Sequence, residues 1–160
     1  MDPIQALRHQ LVTFLEGGGA HAAFEQAVAD FPAALRGVRP EGAPYSAWEL
    51  LEHLRIAQRD MLEFSRDPDY KSPDWPSGYW PKSPEPPDTR AWDASIARFR
   101  QDNQAMRALI ADRSSDLFLP FPHGTGQNLL REAFQIADHN AYHLGELVLL
   151  RRLLGAWKSR

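Results

Sequence analysis

Seven of the chain's 13 prolines fall between Asp67 and Thr89. No regular helix can run through that stretch, because each proline lacks a backbone N–H and clashes with the preceding turn. On either side of it, apolar residues recur at steps of three and four, with no sustained alternation of the strand kind. The chain is therefore predicted to be all-α, divided by a long Pro/Trp-rich crossover loop. Tyr70, Trp75, Tyr79 and Trp80 lie in that loop. Such an aromatic load is foreign to disordered segments, so the loop is expected to be ordered and packed on the helices.

Local signals mark the helices. The first is expected from Pro3 to about Glu16, with Pro3 in its first turn and Gly17-Gly18-Gly19 ending it. A short one follows from about Ala20 to Asp30, closed by Phe31-Pro32. Ser46-Ala47-Trp48-Glu49 has the capping-box pattern and opens a helix to about Phe64, with Leu50, Leu54, Ala57 and Met61 facing inward. Asp88-Thr89 caps a helix to about Arg113, with Trp92, Ile96, Phe99, Met106 and Ile110 inward. After a loop from Leu117 to Gly126, a last helix is expected from about Gln127 to Leu154, apolar at Leu130, Phe134, Ala137, Ala141, Leu144 and Val148. Its end, Gly155-Ala156-Trp157, is expected to fray. These elements make a four-helix bundle with a short extra helix, in a single domain over residues 1–160.

Composition narrows the chemistry. There is no cysteine, which removes disulfides, thiolate metal sites and a cysteine nucleophile. Eighteen basic residues against 21 acidic ones, net −3, give no broad positive field for nucleic acid. Arg151, Arg152, Lys158 and Arg160 cluster, and are read as helix-end cations complementing the macrodipole. The N-terminus lacks a signal-peptide pattern, and Glu146, Arg151 and Arg152 interrupt the apolar segment Leu144 to Leu154. A soluble cytoplasmic protein without membrane or nucleic-acid partners is expected.

The residues that carry chemistry are histidines. His139 and His143 are four apart on the last helix, so both imidazoles leave one face. That face also holds Ile136, Glu146, Leu147 and Leu150, where other helices must pack. His53 lies at the edge of the inward stripe of its own helix. Three imidazoles from two helices would leave part of a metal's coordination shell open, as reactive sites do. The plain alternative is a hydrogen-bonded or surface pair, which this spacing alone also allows. Asn140 stands where a His-Glu-x-x-His protease has its Glu, and Leu50, Ile136 and Asn140 stand where Glu-x-x-His di-iron bundles have theirs. A mononuclear site remains, for zinc, nickel, iron, manganese or another divalent ion. Glu49 is read as the capping residue and Glu146 as an acceptor orienting a histidine, although either is also a candidate proton acceptor. His9, His21 and His123 are read as solvated side chains, Gly124-Thr125-Gly126 as a turn, and Trp48 and Trp92 as core.

The segments Ser46-Ala-Trp-Glu-Leu-Leu-Glu-His53-Leu and Ile136-Ala-Asp-His-Asn-Ala-Tyr-His143-Leu-Gly-Glu-Leu resemble the DinB/YfiT-like superfamily of metalloenzymes over nearly the whole chain. The resemblance implies a four-helix bundle with metal ligands at His53, His139 and His143, and a homodimer. Similar members include transferases and isomerases that use a low-molecular-weight thiol, here supplied by a cosubstrate. The expected function is thus metal-dependent chemistry on a small molecule, most directly thiol-dependent transfer or isomerisation. A metal-dependent hydrolase and a non-catalytic stress-response or ligand-binding bundle are the alternatives.

Overall fold

The computed structural model describes residues 2–157, and among them the regular elements are all helical. In chain order these are α1 (Pro3–Glu16), α2 (Phe24–Val28), α3 (Ala47–Arg66), α4 (Ala91–Ala111) and α5 (Leu129–Leu153), with short 3-10 turns at Ala33–Leu35 and Ser77–Tyr79. Side chains cap α3 and α5, while the N-cap position of α4 is Arg90, one residue past the expected Asp88-Thr89, and has no side-chain cap. Ser46 Oγ accepts from Glu49 N at 3.2 Å while a Glu49 carboxylate oxygen accepts from Ser46 N at 2.8 Å, a reciprocal capping box. Asn128 Oδ1 accepts from Arg131 N at 2.9 Å to start α5. Asp88 receives the N–H groups of Arg90 and Ala91 ahead of α4.

Side-chain contacts give the helix directions. Glu52 meets Ser95 and Arg59 meets Asp102, so α3 and α4 run parallel. His53 meets His143 and Gln58 meets Asn140, so α5 runs antiparallel to them. Arg8 meets Ile110 and Asn103 meets Leu15, so α1 is antiparallel to α4. Parallel neighbours cannot be joined by a tight turn. The chain must return along the 20 residues of α3, about 30 Å at the helical rise, and residues 67–90 make that journey. Their path is tied to α3: Tyr79 Oη donates to Asp60 at 2.6 Å, and Ser46 Oγ donates to Pro84 O at 2.6 Å. A Cβ on Gly37 would collide with the Glu85 side chain, so the returning chain also presses on the segment before α3.

Two apolar clusters fill the interior. One gathers Leu50, Leu51, Leu54, Trp92, Ile96, Phe99, Leu144 and Leu147, together with Trp48 and the α2 residues Phe24, Ala27 and Val28. The other gathers Leu11, Leu62, Met106, Ile110, Leu129, Ala133 and Ile136. On each of α3, α4 and α5 a buried or half-buried amide, Gln58, Asn103 or Asn140, lies between the residues of the two clusters.

Several expectations are corrected. The short helix α2 covers only Phe24–Val28, and α4 ends at Ala111 rather than near Arg113. Met61 is only half-buried. Phe134, read among the apolar positions of the last helix, is 50 % exposed, whereas Ile136, Leu147 and Leu150 are buried on the packing face expected for them. Arg151 lies in the last turn of α5 as a helix-end cation, but it is also buried, donating to the carbonyls of Gln26, Ala27 and Ala156. It thereby closes the C-terminal end of α2 and holds the segment expected to fray. Lys158 and Arg160 of the same basic cluster lie outside the described residues. Replacing Ser46 with Ala removes both the α3 cap and the bond to Pro84 O. It is expected to lower stability by about 1 to 2 kcal/mol, read as an earlier midpoint in urea unfolding, with Ser46→Thr losing less.

Candidate metal centre

The geometry of α3 against α5 decides which histidines meet. One turn separates His139 from His143 on α5, and antiparallel packing sets both opposite His53. His53 Nε2 lies 3.1 Å from His143 Nε2 and 3.0 Å from His139 Nε2. The three residues form a cluster able to hold a metal ion. His53 and His143 are buried and His139 is half-buried.

The outer nitrogens define the tautomers. His53 Nδ1 lies 2.9 Å from Tyr79 O, which can only accept, so Nδ1 carries the proton and Nε2 a lone pair. His143 Nδ1 lies 2.7 Å from Glu146 Oε2, with the same result. Lone pairs facing one another at such distances repel unless a cation or proton lies between them. Metal–nitrogen bonds of about 2.0–2.1 Å place ligand nitrogens about 2.8 to 3.4 Å apart for right-angle to tetrahedral geometry. Both spacings from His53 fit that range.

Burial and mutual repulsion keep the set neutral. Burial, then the positive charge His143 and His53 would carry, holds His139 down to about 4, against smaller raising effects of the Asn140 side chain and the Asp138 charge. His143 is held down to about 4 by burial and then by His53. Burial also lowers His53, against the pull of the Tyr79 carbonyl and the Glu146 charge. Neutral imidazole is the form that ligates a metal. Glu146 is raised by burial, an effect its neighbour His53 reduces.

The crossover loop forms one wall. Trp80 stacks on His53 with ring centroids 3.9 Å apart and planes 2° from parallel, and Tyr45 stacks on Trp80 in turn at 4.1 Å. Beside this stack Tyr45, Leu50, Glu146, Leu149, Leu150 and Leu153 line an open groove of about 240 Å³. Sequence reasoning predicts an ordered loop but does not reveal that Tyr79 and Trp80 touch a histidine. Their only signal is aromatics amid prolines.

Other expected placements divide. Glu49 is committed to the capping box and to Arg39, which leaves it no part in the site. Glu146 is the histidine acceptor. Trp48 and Trp92 are core, and Trp75 is 78 % exposed. His9 and His21 are exposed. His123, read as solvated, is half-buried instead: its Nε2 lies 2.8 Å from Phe64 O and its ring stacks on Phe121. It takes no part in the cluster. Thr125 N donates to Gln127 Oε1 at 2.6 Å within the turn before α5.

His139 has a folded-state value of about 4 against an ordinary 6.5. Between those values the unfolded chain binds the extra proton, so the metal-free protein must lose stability as pH falls through that window. Urea unfolding at pH 7 and 4.5, after chelator treatment, is expected to show this loss, smaller in His139→Leu. Equal losses in both proteins would contradict it.

A family model described as the DinB superfamily matches residues 19–147, which include all three clustered histidines. No curated protein and no solved structure gives a match. No helix among the described residues is long and apolar enough to cross a membrane. Family membership and the three-histidine cluster are together compatible with a metal-binding enzyme. On a match over most of its length, the chain belongs to the DinB superfamily.

Proposed function

We propose that this chain is a mononuclear metal-dependent enzyme acting on a small molecule, by thiol-dependent transfer or isomerisation. The observation that carries the reading is the convergence of three imidazoles, with His53 Nε2 3.1 and 3.0 Å from the Nε2 atoms of His143 and His139. Three protein ligands leave room for a substrate atom, as at reactive rather than structural sites. A bound zinc, nickel, iron or manganese ion would lower the pKa of a thiol or water and so supply a nucleophile at neutral pH.

The remaining work belongs to the chain's own groups. Tyr79 O and Glu146 hold two imidazoles with their lone pairs inward. Trp80 covers one face of His53 and excludes water there. Leu149, Leu150 and Leu153 offer an apolar wall for the non-reacting part of a substrate. Glu146 Oε2 is bonded to His143 Nδ1, and its residue also lines the groove, so it is placed to exchange a proton there. With no cysteine in the chain, the thiol comes from a cosubstrate.

Untagged protein is expected to carry about one metal ion per chain, lost in His53→Ala, His139→Ala or His143→Ala. Absence of metal after supplementation overturns the reading. In cobalt-substituted protein a low-molecular-weight thiol is expected to produce a new charge-transfer band. No spectral change with any thiol of a panel would remove the thiol chemistry and leave the site to hydrolysis or binding.

The proposal includes a cytoplasmic homodimer. Phe134 and Tyr142, outside the groove, give the outer side of α5 exposed apolar side chains that a second copy would cover. Analytical ultracentrifugation is expected to show twice the chain mass; a monomer throughout the micromolar range overturns this part.

A further inference from the structure

The polar layer between the two apolar clusters ends at one of the three histidines. Gln58 is fully buried. Its Nε2 donates to Phe99 O at 2.8 Å, and its Oε1 accepts from Asn140 Nδ2 at 3.0 Å and from Asn103 Nδ2 at 3.4 Å. Asn103 Nδ2 donates in addition to Leu15 O at 3.1 Å. The direction of a side-chain amide is decided by its partners, and a main-chain carbonyl can only accept. Phe99 O therefore fixes the NH2 end of Gln58, which turns the Gln58 oxygen toward Asn140. That oxygen in turn fixes the NH2 end of Asn140 and leaves Asn140 Oδ1 facing away from Gln58. Leu15 O orients Asn103 independently, and the result agrees: an NH2 group meets the Gln58 oxygen.

Two buried atoms at the end of this series lack a hydrogen-bond partner: Asn140 Oδ1 and Nδ1 of the adjacent His139. They are complementary. The oxygen is an acceptor, and a ring whose Nε2 turns its lone pair to the cluster carries its proton on Nδ1. A buried polar group left unpaired is costly, so each atom has reason to close on the other.

We propose that Phe99 O, Gln58 and Asn140 form a directed chain of hydrogen bonds that holds His139 as its Nδ1–H tautomer, with Asn140 as the positioning residue for this ligand. The proposal rests on reading the three histidines as a metal site. Each imidazole then has a different holder: a main-chain carbonyl for His53, a carboxylate for His143 and a neutral amide for His139. The amide fixes orientation without adding a second negative charge to the interior. It also ties the ligand to α3 and α4, so that His139 is aimed by three helices at once.

The test uses the full chain and zinc alone, with affinity read by competition against a chromogenic chelator. Asn140→Leu is expected to weaken zinc binding by about 10- to 100-fold, the usual effect of removing a ligand's outer partner. Gln58→Met is expected to weaken it less, because Asn140 keeps its oxygen but is free to turn. The double variant is expected to be no weaker than Asn140→Leu, since Gln58 reaches His139 only through Asn140. Wild-type affinity in Asn140→Leu, or losses that simply add, would overturn the chain of hydrogen bonds. A second readout needs no variant: long-range proton–nitrogen spectra of wild type should show a His139 Nδ1–H protected from solvent exchange. If Nδ1 carries no proton, the proposal fails. If the wild type binds no zinc, the metal reading fails, and the tautomer of His139 in the metal-free spectrum still decides the chain of hydrogen bonds. Should Asn140→Leu not fold, Gln58→Met and the wild-type spectrum decide between the outcomes.

Discussion

The register of α3 against α5 is the constraint on which the rest of the structure depends. A slip of one helical turn, about 5.4 Å, would carry His139 and His143 past His53 and dissolve the cluster. Apolar packing alone is tolerant of such slips, since cores keep folding when similar side chains are repacked. The buried amides are not tolerant. Gln58 has one acceptor to donate to, Phe99 O, and one amide across the interface to receive, Asn140. Shifting either helix strands both groups in an apolar interior, at about 1–3 kcal/mol each. The polar layer thus specifies one alignment where the two apolar clusters above and below it would accept several.

Topology then dictates the wall of the site. Because α3 and α4 are parallel, the chain must travel back beside α3. A connection that long would be a liability if it were loose, given the entropy of ordering each residue. Here prolines restrict the unfolded chain beforehand, and the segment is fastened at Asp60, His53 and Ser46 in turn along α3. The same fastening that orders the crossover brings Tyr79 O and the Trp80 ring onto His53. Fold and site share these contacts, which is why the crossover cannot be shortened without removing an imidazole's partner.

What can be read from the sequence is what is local. Ser46 and Glu49 announce a cap because the motif closes within one turn. Helical spacing pairs His139 with His143, and the same rule places His53 beside the inward stripe. The face of α5 is harder to read. Phe134, Leu149 and Leu153 stand outside while Ala133, Ile136 and Leu147 stand inside. With apolar residues nearly all round the helix, a 3.6 period selects no single face. Arg151 and His123 escape the pattern for a related reason. Each is drawn inward because carbonyls far away in sequence, at Gln26 and Ala27 or at Phe64, await a donor. Periodicity contains no trace of an acceptor left over from another element.

Neutral imidazoles gathered in a buried site place the energetics of folding and of metal binding in one balance. The lone pairs that His53 and His143 turn inward do not attract one another, and burial holds both imidazoles away from the proton that would otherwise relieve them. The alignment of α3 and α5 must therefore be maintained by the amide layer, the capping box and the apolar clusters, not by the histidines themselves. A divalent ion reverses the sign of the histidine contribution. Binding only to the folded arrangement, it adds stability as RT ln(1 + [L]/Kd), about 2.7 kcal/mol at a hundredfold excess over Kd. An ion bound as proposed would meet a geometry set beforehand by groups that never touch it. Preorganised donors with open positions left over are what a substrate-binding centre requires. A purely structural ion would instead have all its positions closed by protein.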